Sequence, residues 1–145
     1  MSPRVIVRPY AEADQDAVVG VWSRSARLAH PFVDGEGVGA RADEMREVHL
    51  RQADMWVALD ETGEIVGLLG LLGAEIGGLF VDPPSQGRGI GRLLVEHAAA
   101  IHGELTVEVY ELNERACGFY RRMGFVPFGS RVESETGLTL LQLRR

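Results

Sequence analysis

A second cysteine is missing from this chain. Cys117 stands alone, which excludes an intramolecular disulfide and makes a reducing, cytoplasmic setting the expected one. No apolar run reaches the roughly 18 residues that mark a membrane span. No secretory leader is visible: Met1-Ser2-Pro3-Arg4 runs straight into Val5-Ile6-Val7 without a small-residue cleavage site. Clustered positive charge is also lacking. The net charge is −6 and the pI about 5.2, which argues against nonspecific nucleic-acid binding, a mode that relies on massed cations. The same acidity suits a cationic partner such as a protonated amine, and charge of this size also serves ordinary solubility. His30, His49, His97 and His102 show no paired zinc spacing, so no metal is expected. Repeats, low-complexity runs and linkers are absent, and the 145 residues read as one domain, 1–145.

What the chain does have is concentrated between Gly77 and Glu96. An apolar strand (Leu79, Phe80, Val81) is stopped by Asp82-Pro83-Pro84. A glycine-rich turn, Gln86-Gly87-Arg88-Gly89-Ile90-Gly91, then opens a helix. That order makes an anion site. The first N–H groups of a helix lack intrahelical partners and carry about half a positive charge from the macrodipole. Glycines let a phosphate approach the backbone, and Arg88 and Arg92 add full charges. Two common phosphate signatures do not fit. No Gly-Lys-Ser/Thr closes the turn as a P-loop requires. A Gly-x-Gly-x-x-Gly started at Gly87 or Gly89 ends on Arg92 or Leu94.

Apolar periodicity predicts the rest. Strands are expected over 4–8, 55–59, 65–72, 76–81, 105–110, 125–129 and 138–143, and helices near 16–29, 41–52, 90–101 and 114–123. Met45, Val48 and His49 form the expected inner face of the second helix. The run 65–72 is apolar throughout, which suits a strand covered on both faces. The order β-α-α-β-β-β-α-β-α-β-β gives an α/β fold, a mixed β-sheet with helices on both faces.

The spacing Gln86-x-x-Gly89-x-Gly91 is joined further on by Asn113-x-x-Ala116-x-x-Phe119-Tyr120-x-x-x-Gly124-Phe125. Together these resemble the GNAT superfamily of acetyl-coenzyme A dependent N-acetyltransferases, well from Ile65 to Phe128 and elsewhere in element order and length. The resemblance implies the GNAT fold and acetyl-CoA as cosubstrate, lying in a V between the strands that end at Val81 and Tyr110. It implies pyrophosphate contacts from Gln86, Gly87, Arg88, Gly89, Ile90, Gly91 and Arg92. It also implies backbone contacts from Leu79, Phe80 and Val81 to the pantetheine arm and thioester, and an arm contact from Asn113. Tyr120 is implied as the general acid at the thioester sulfur. Dimers are common in the superfamily, so a monomer or homodimer is expected.

Acetyl transfer from a thioester to an amine makes three physical demands. The amine must shed a proton, because a free amine of pKa near 10 is mostly charged at neutral pH. The developing oxyanion needs fixed donors. The departing thiolate gains from a nearby acid. Gly77-Gly78 suggests a bulge or close backbone approach beside the strand end. Asn113 precedes a helix and suits its N-cap. Glu75 is the candidate general base, directly or through a water, on the face that period two would share with Gly77 and Leu79; Glu108 is the second candidate. Cys117 has no base paired with it and reads as a small core residue. His30 lies by the first loop, where GNAT proteins bind acceptors, and is a substrate-site candidate. Glu133 and Glu135 would attract a cation. The rival reading is a non-catalytic coenzyme A binding module, a sensor or partner subunit.

Overall fold

The computed structural model describes residues 4–145. Met1–Pro3, from which the lack of a leader was read, lie outside the described residues. The strands are β1 (Ile6–Pro9), β2 (Asp54–Leu59), β3 (Ile65–Leu72), β4 (Glu75–Val81), β5 (Thr106–Tyr110), β6 (Val126–Val132) and β7 (Thr139–Arg144). They form one sheet in the order β1-β2-β3-β4-β5-β7-β6. Neighbours are antiparallel except β4 and β5, which run parallel. A parallel pair needs a crossover, and the helix α3 (Ile90–His102) supplies it.

Two cores sit on the two faces. Ile90, Leu94, Val95 and Ala98 of α3 pack with Leu69, Leu71, Ile76, Val107 and Val109, joined by Tyr120 and Phe125 around α4 (Glu114–Arg122). On the opposite face, Val18, Val19, Trp22 and Ala26 of α1 (Gln15–Ala29) pack on Val57 and Leu68. The helical segment 39–52, called α2, adds Ala42, Met45 and Leu50 to this second core. β3 is buried from Val66 to Leu71, as a strand between two helical layers must be.

The inner face of α2 departs from expectation. Its middle turn, Met45–His49, is π-helical. That turn inserts one residue into the 3.6 spacing, so Leu50 takes the inward place. His49 is exposed, 3.5 Å from Glu44. His97 packs edge-on against Trp56 with ring centroids 4.3 Å apart.

Candidate active site

β4 and β5 pair only where they begin, at Glu75 with Thr106 and Ile76 with Val107. Beyond that point β4 from Gly77 to Val81 and β5 from Glu108 to Tyr110 have no register with each other. The strands part into a V whose inner backbone groups are free of sheet pairing on that side. Both glycine-bearing motifs lie at its mouth. One follows the end of β4 and the other follows the end of β5.

On the β3 side, Gly70 pairs with Gly78 and Leu71 with Ile76, leaving Gly77 as the extra residue of a bulge. The bulge changes the alternation. Leu79 and Val81 pack into the α3–α4 core and Phe80 into the α1–α2 core. Glu75, opposite Leu72, falls on the Phe80 face and not with Leu79. The period-two placement of Glu75 is therefore corrected, because one inserted residue inverts every side chain before it. The Phe80 face is the side of α1 and α2.

The glycine loop has the form its residues suggest. Gln86 Nε2 donates to Val81 O at 3.0 Å and ties the loop back to β4. Gly87 and Gly89 both have φ of +81°, a region that side chains avoid, and nothing lies within 4 Å of a Cβ at either. The space over the loop is open. The first intrahelical bond of α3 reaching back to the loop is Leu93 N–H to Gly89 O at 3.0 Å, so the Ile90, Gly91 and Arg92 amides precede it and face outward. Arg24 of α1 grips Asp82 through two bonds of 2.8 and 3.2 Å, fastening α1 to the strand end just before the loop.

Across the V, Asn113 Oδ1 accepts from Ala116 N at 3.1 Å. The cap uses the side-chain oxygen, and the amide NH2 makes no hydrogen bond among the described residues. Tyr120 is buried between Phe119 and Phe125, edge-on to both at centroid distances of 5.1 and 5.2 Å. Burial pushes its phenol pKa up, which keeps the proton in place at neutral pH. Among the described residues no side chain or carbonyl bonds to its hydroxyl. Cys117 Sγ donates to Tyr110 O at 3.7 Å, and burial raises its pKa. Both facts fit a packed thiol and not a nucleophile.

The face that carries Glu75 also carries Glu108 and Tyr110, since Val107 and Val109 turn to the opposite core. Glu108 is committed. Arg131 donates two bonds of 2.7 and 2.8 Å and Gln142 one of 3.2 Å, and the Arg131 bonds above all hold the carboxyl below its usual range. A carboxylate so held is a weak base. The Arg131 guanidinium also senses the charge of Glu75.

Beyond the end of β5 lies a cluster that no linear motif announces. The rings of His30, Phe32 and Tyr110 pack at 4.9 to 5.7 Å. His30 Nδ1 meets Glu36 Oε2 at 2.9 Å, and Glu36 is buried. The Tyr110 hydroxyl donates to Glu133 Oε1 at 2.7 Å, which also accepts from Thr136 at 2.7 Å. Arg41 spans Glu36 at 3.8 Å and Glu135 at 3.3 Å. Phe32, Glu36, Arg41 and Tyr110 escaped the sequence reading. Their signal is spatial, joining the end of α1, the loop before α2, β5 and the β6–β7 turn.

Comparison with known proteins places this geometry. The family description "Acetyltransferase (GNAT) domain" matches residues 51–127. The chain is 36% identical over 133 residues to the peptidyl-lysine N-acetyltransferase YjaB of Escherichia coli strain K12, covering 92% of this chain and 90% of that protein. The solution structure of apo-form YjaB from Escherichia coli superposes with a TM-score of 0.87 over 97% of both chains. At 14% identity, the PaiA N-acetyltransferase of Thermoplasma acidophilum, solved in complex with coenzyme A, shares the fold with a TM-score of 0.73 over 96% of this chain and 98% of its own.

Proposed function

From the premise that this chain belongs to the acetyltransferase (GNAT) family and is an acyltransferase, we propose that it moves an acetyl group from acetyl-CoA to the primary amine of a peptide or protein. A lysine side chain is the acceptor that the named relatives favour. The observation that carries this reading is the V between β4 and β5, with the open glycine loop at its mouth.

The residues fit acetyl-CoA on physical grounds. The amides from Gln86 to Arg92 and the charges of Arg88 and Arg92 cradle the pyrophosphate. Leu79, Phe80 and Val81 offer unpaired backbone groups to the pantetheine arm, and the Asn113 amide meets it from the other side. The thioester oxygen takes its donor from the β4 backbone near the Gly77 bulge. The amine attacks the carbonyl carbon directly. Glu75, or a water it holds, accepts a proton from the attacking nitrogen, and Tyr120 protonates the departing thiolate. The net charge of −6 and the carboxylates on the acceptor face favour a cationic acceptor. Both a monomer and a homodimer suit this chemistry.

The test is calorimetric titration with acetyl-CoA, beside a Gly89→Glu variant, followed by mass spectrometry of lysine peptides incubated with the enzyme. The chain contains no lysine of its own, so every acetyl-lysine observed comes from the substrate. Binding lost in the variant together with lysine acetylation supports the proposal. Firm binding with no product on any amine would favour the non-catalytic binding module. Absence of binding to the unaltered protein would undo the transferase reading.

A further inference from the structure

The acceptor nitrogen must lose two protons, one before it attacks and one as the amide forms. In the reading above Glu75 takes the proton released on attack and Tyr120 protonates the thiolate, which leaves the first proton of the ammonium without an acceptor. We propose, resting on the transferase reading above, that His30 is the proton acceptor for the incoming ammonium and that Glu36 is its positioning residue.

The geometry carries this in three parts. The first is tautomer. A carboxylate oxygen accepts and does not donate, so the 2.9 Å contact puts a proton on His30 Nδ1 and makes Nε2 the nitrogen open to exchange one. The second is access. The His30 side chain is 14% exposed and that of Glu36 is 7%. His30 Nε2 makes no hydrogen bond among the described residues, and it is not among the fully buried unpaired atoms. The free nitrogen therefore meets solvent while its partner is shielded. The third is location. The His30 ring lies 4.9 Å from that of Tyr110, the last residue of β5 and one lip of the V.

The charged and titratable groups around the pair come from every neighbouring element. They are Glu36 from the loop before α2, Arg41 from α2, Tyr110 from β5, and Glu133 and Glu135 from the β6–β7 turn. Carboxylates outnumber the one guanidinium, which favours an arriving ammonium.

The step balances. The ammonium gives one proton to His30 Nε2, which returns it to water. The amine lone pair forms the bond to the thioester carbon, and the carbon–sulfur bond breaks. The thiolate takes a proton from Tyr120, and the second nitrogen proton, leaving through Glu75 or its water, makes good that loss. An ammonium and a thioester become an amide, a thiol and one released proton.

The experiment measures kcat/KM on a lysine peptide from about pH 6 to about pH 10.5 for the unaltered enzyme, His30→Gln, His30→Ala, Glu36→Gln and Glu75→Gln, with acetyl-CoA affinity measured for each. His30→Gln is expected to lose roughly 10²–10³-fold near neutrality, within the range for general base catalysis, and to keep its acetyl-CoA affinity. Its deficit should close as pH passes the acceptor's own pKa, roughly 10.4 for lysine, because the amine then arrives uncharged. Added imidazole should restore part of the activity of His30→Ala. Glu36→Gln should move the acid limb to lower pH with a smaller loss, since glutamine still accepts from Nδ1 without its charge. A His30 deficit that is constant across pH and unanswered by imidazole would make the pair a structural latch and overturn the proposal. So would an acid limb that disappears in Glu75→Gln and persists in His30→Gln. Enzyme that acetylates no amine at all overturns the transferase reading itself, and this inference with it.

Discussion

The ring of Phe119 lies 3.2 Å from where a Cβ on Gly91 would stand. This contact joins the two sequence motifs, which are otherwise separated by a helix and a strand. Gly91 occupies the first turn of α3, and Phe119 sits on α4 beside Tyr120. The absence of a side chain at Gly91 lets α4 lie against the glycine loop, so the proposed cradle and the proposed acid are set by one packing contact. Gly91→Val should therefore lower stability by about 1–3 kcal/mol, the usual cost of overpacking. It should also weaken acetyl-CoA binding, as Tyr120 and the loop move apart. Denaturant unfolding and calorimetry check both, and a stable variant with full affinity would break the link.

Tyr120→Phe separates packing from chemistry. The hydroxyl bonds to nothing among the described residues, while the ring is buried between two phenylalanines. The variant should melt near the temperature of the unaltered protein and lose about 10²–10⁴ in kcat. Unchanged turnover would remove Tyr120 from the mechanism.

Two substitutions can tell the observed cap of Asn113 from its proposed contact with acetyl-CoA. Asn113→Ala removes the bond to Ala116 N and should cost about 1 kcal/mol of stability. Asn113→Asp keeps an acceptor for that bond and loses the NH2 group. Its stability should hold while its affinity for acetyl-CoA falls. Equal affinity in Asn113→Asp would confine the residue to capping.

Asp14 gives a pH prediction for the fold. Arg8 donates to its two oxygens at 2.7 and 2.9 Å, and this hydrogen bonding above all lowers the carboxyl pKa. A depressed carboxyl stabilises the folded state above its unfolded pKa, about 3.9, and loses that contribution as pH falls through the lower folded value. Asp14→Asn should be less stable than the unaltered protein near neutrality, and the gap should narrow below about pH 4. A gap that is constant with pH would show that the ion pair is not its source.

Much of the architecture was legible in the linear pattern. β3 runs Ile65–Leu72, the predicted span, because a doubly covered strand leaves an unbroken apolar run. The start of α3 at Ile90 and the positive φ of Gly124 beyond α4 follow from glycine chemistry at helix ends. The misplacements share one cause, an inserted residue. The π turn of α2 moved His49 outward, and the Gly77 bulge moved Glu75 to the Phe80 face. The paired glycines Gly77-Gly78 mark the bulge without its effect on the alternation before it, and nothing in the composition marks the π turn.

Glycine spacing, caps and apolar period are properties of a few consecutive residues, and by themselves they determined the anion loop, the asparagine cap and the layered fold. On the candidate acceptor side the sequence offered His30, Glu133 and Glu135 singly, and the tertiary structure decided what each of them meets. His30 meets Glu36 within one loop, but Tyr110, Glu133 and Arg41 reach them only because β5, the β6–β7 turn and α2 converge at one end of the sheet. Local periodicity encodes which face of an element is buried. Which charges meet across that end is decided by strand order and by the parting of β4 from β5, and both emerge only when the whole sheet is assembled.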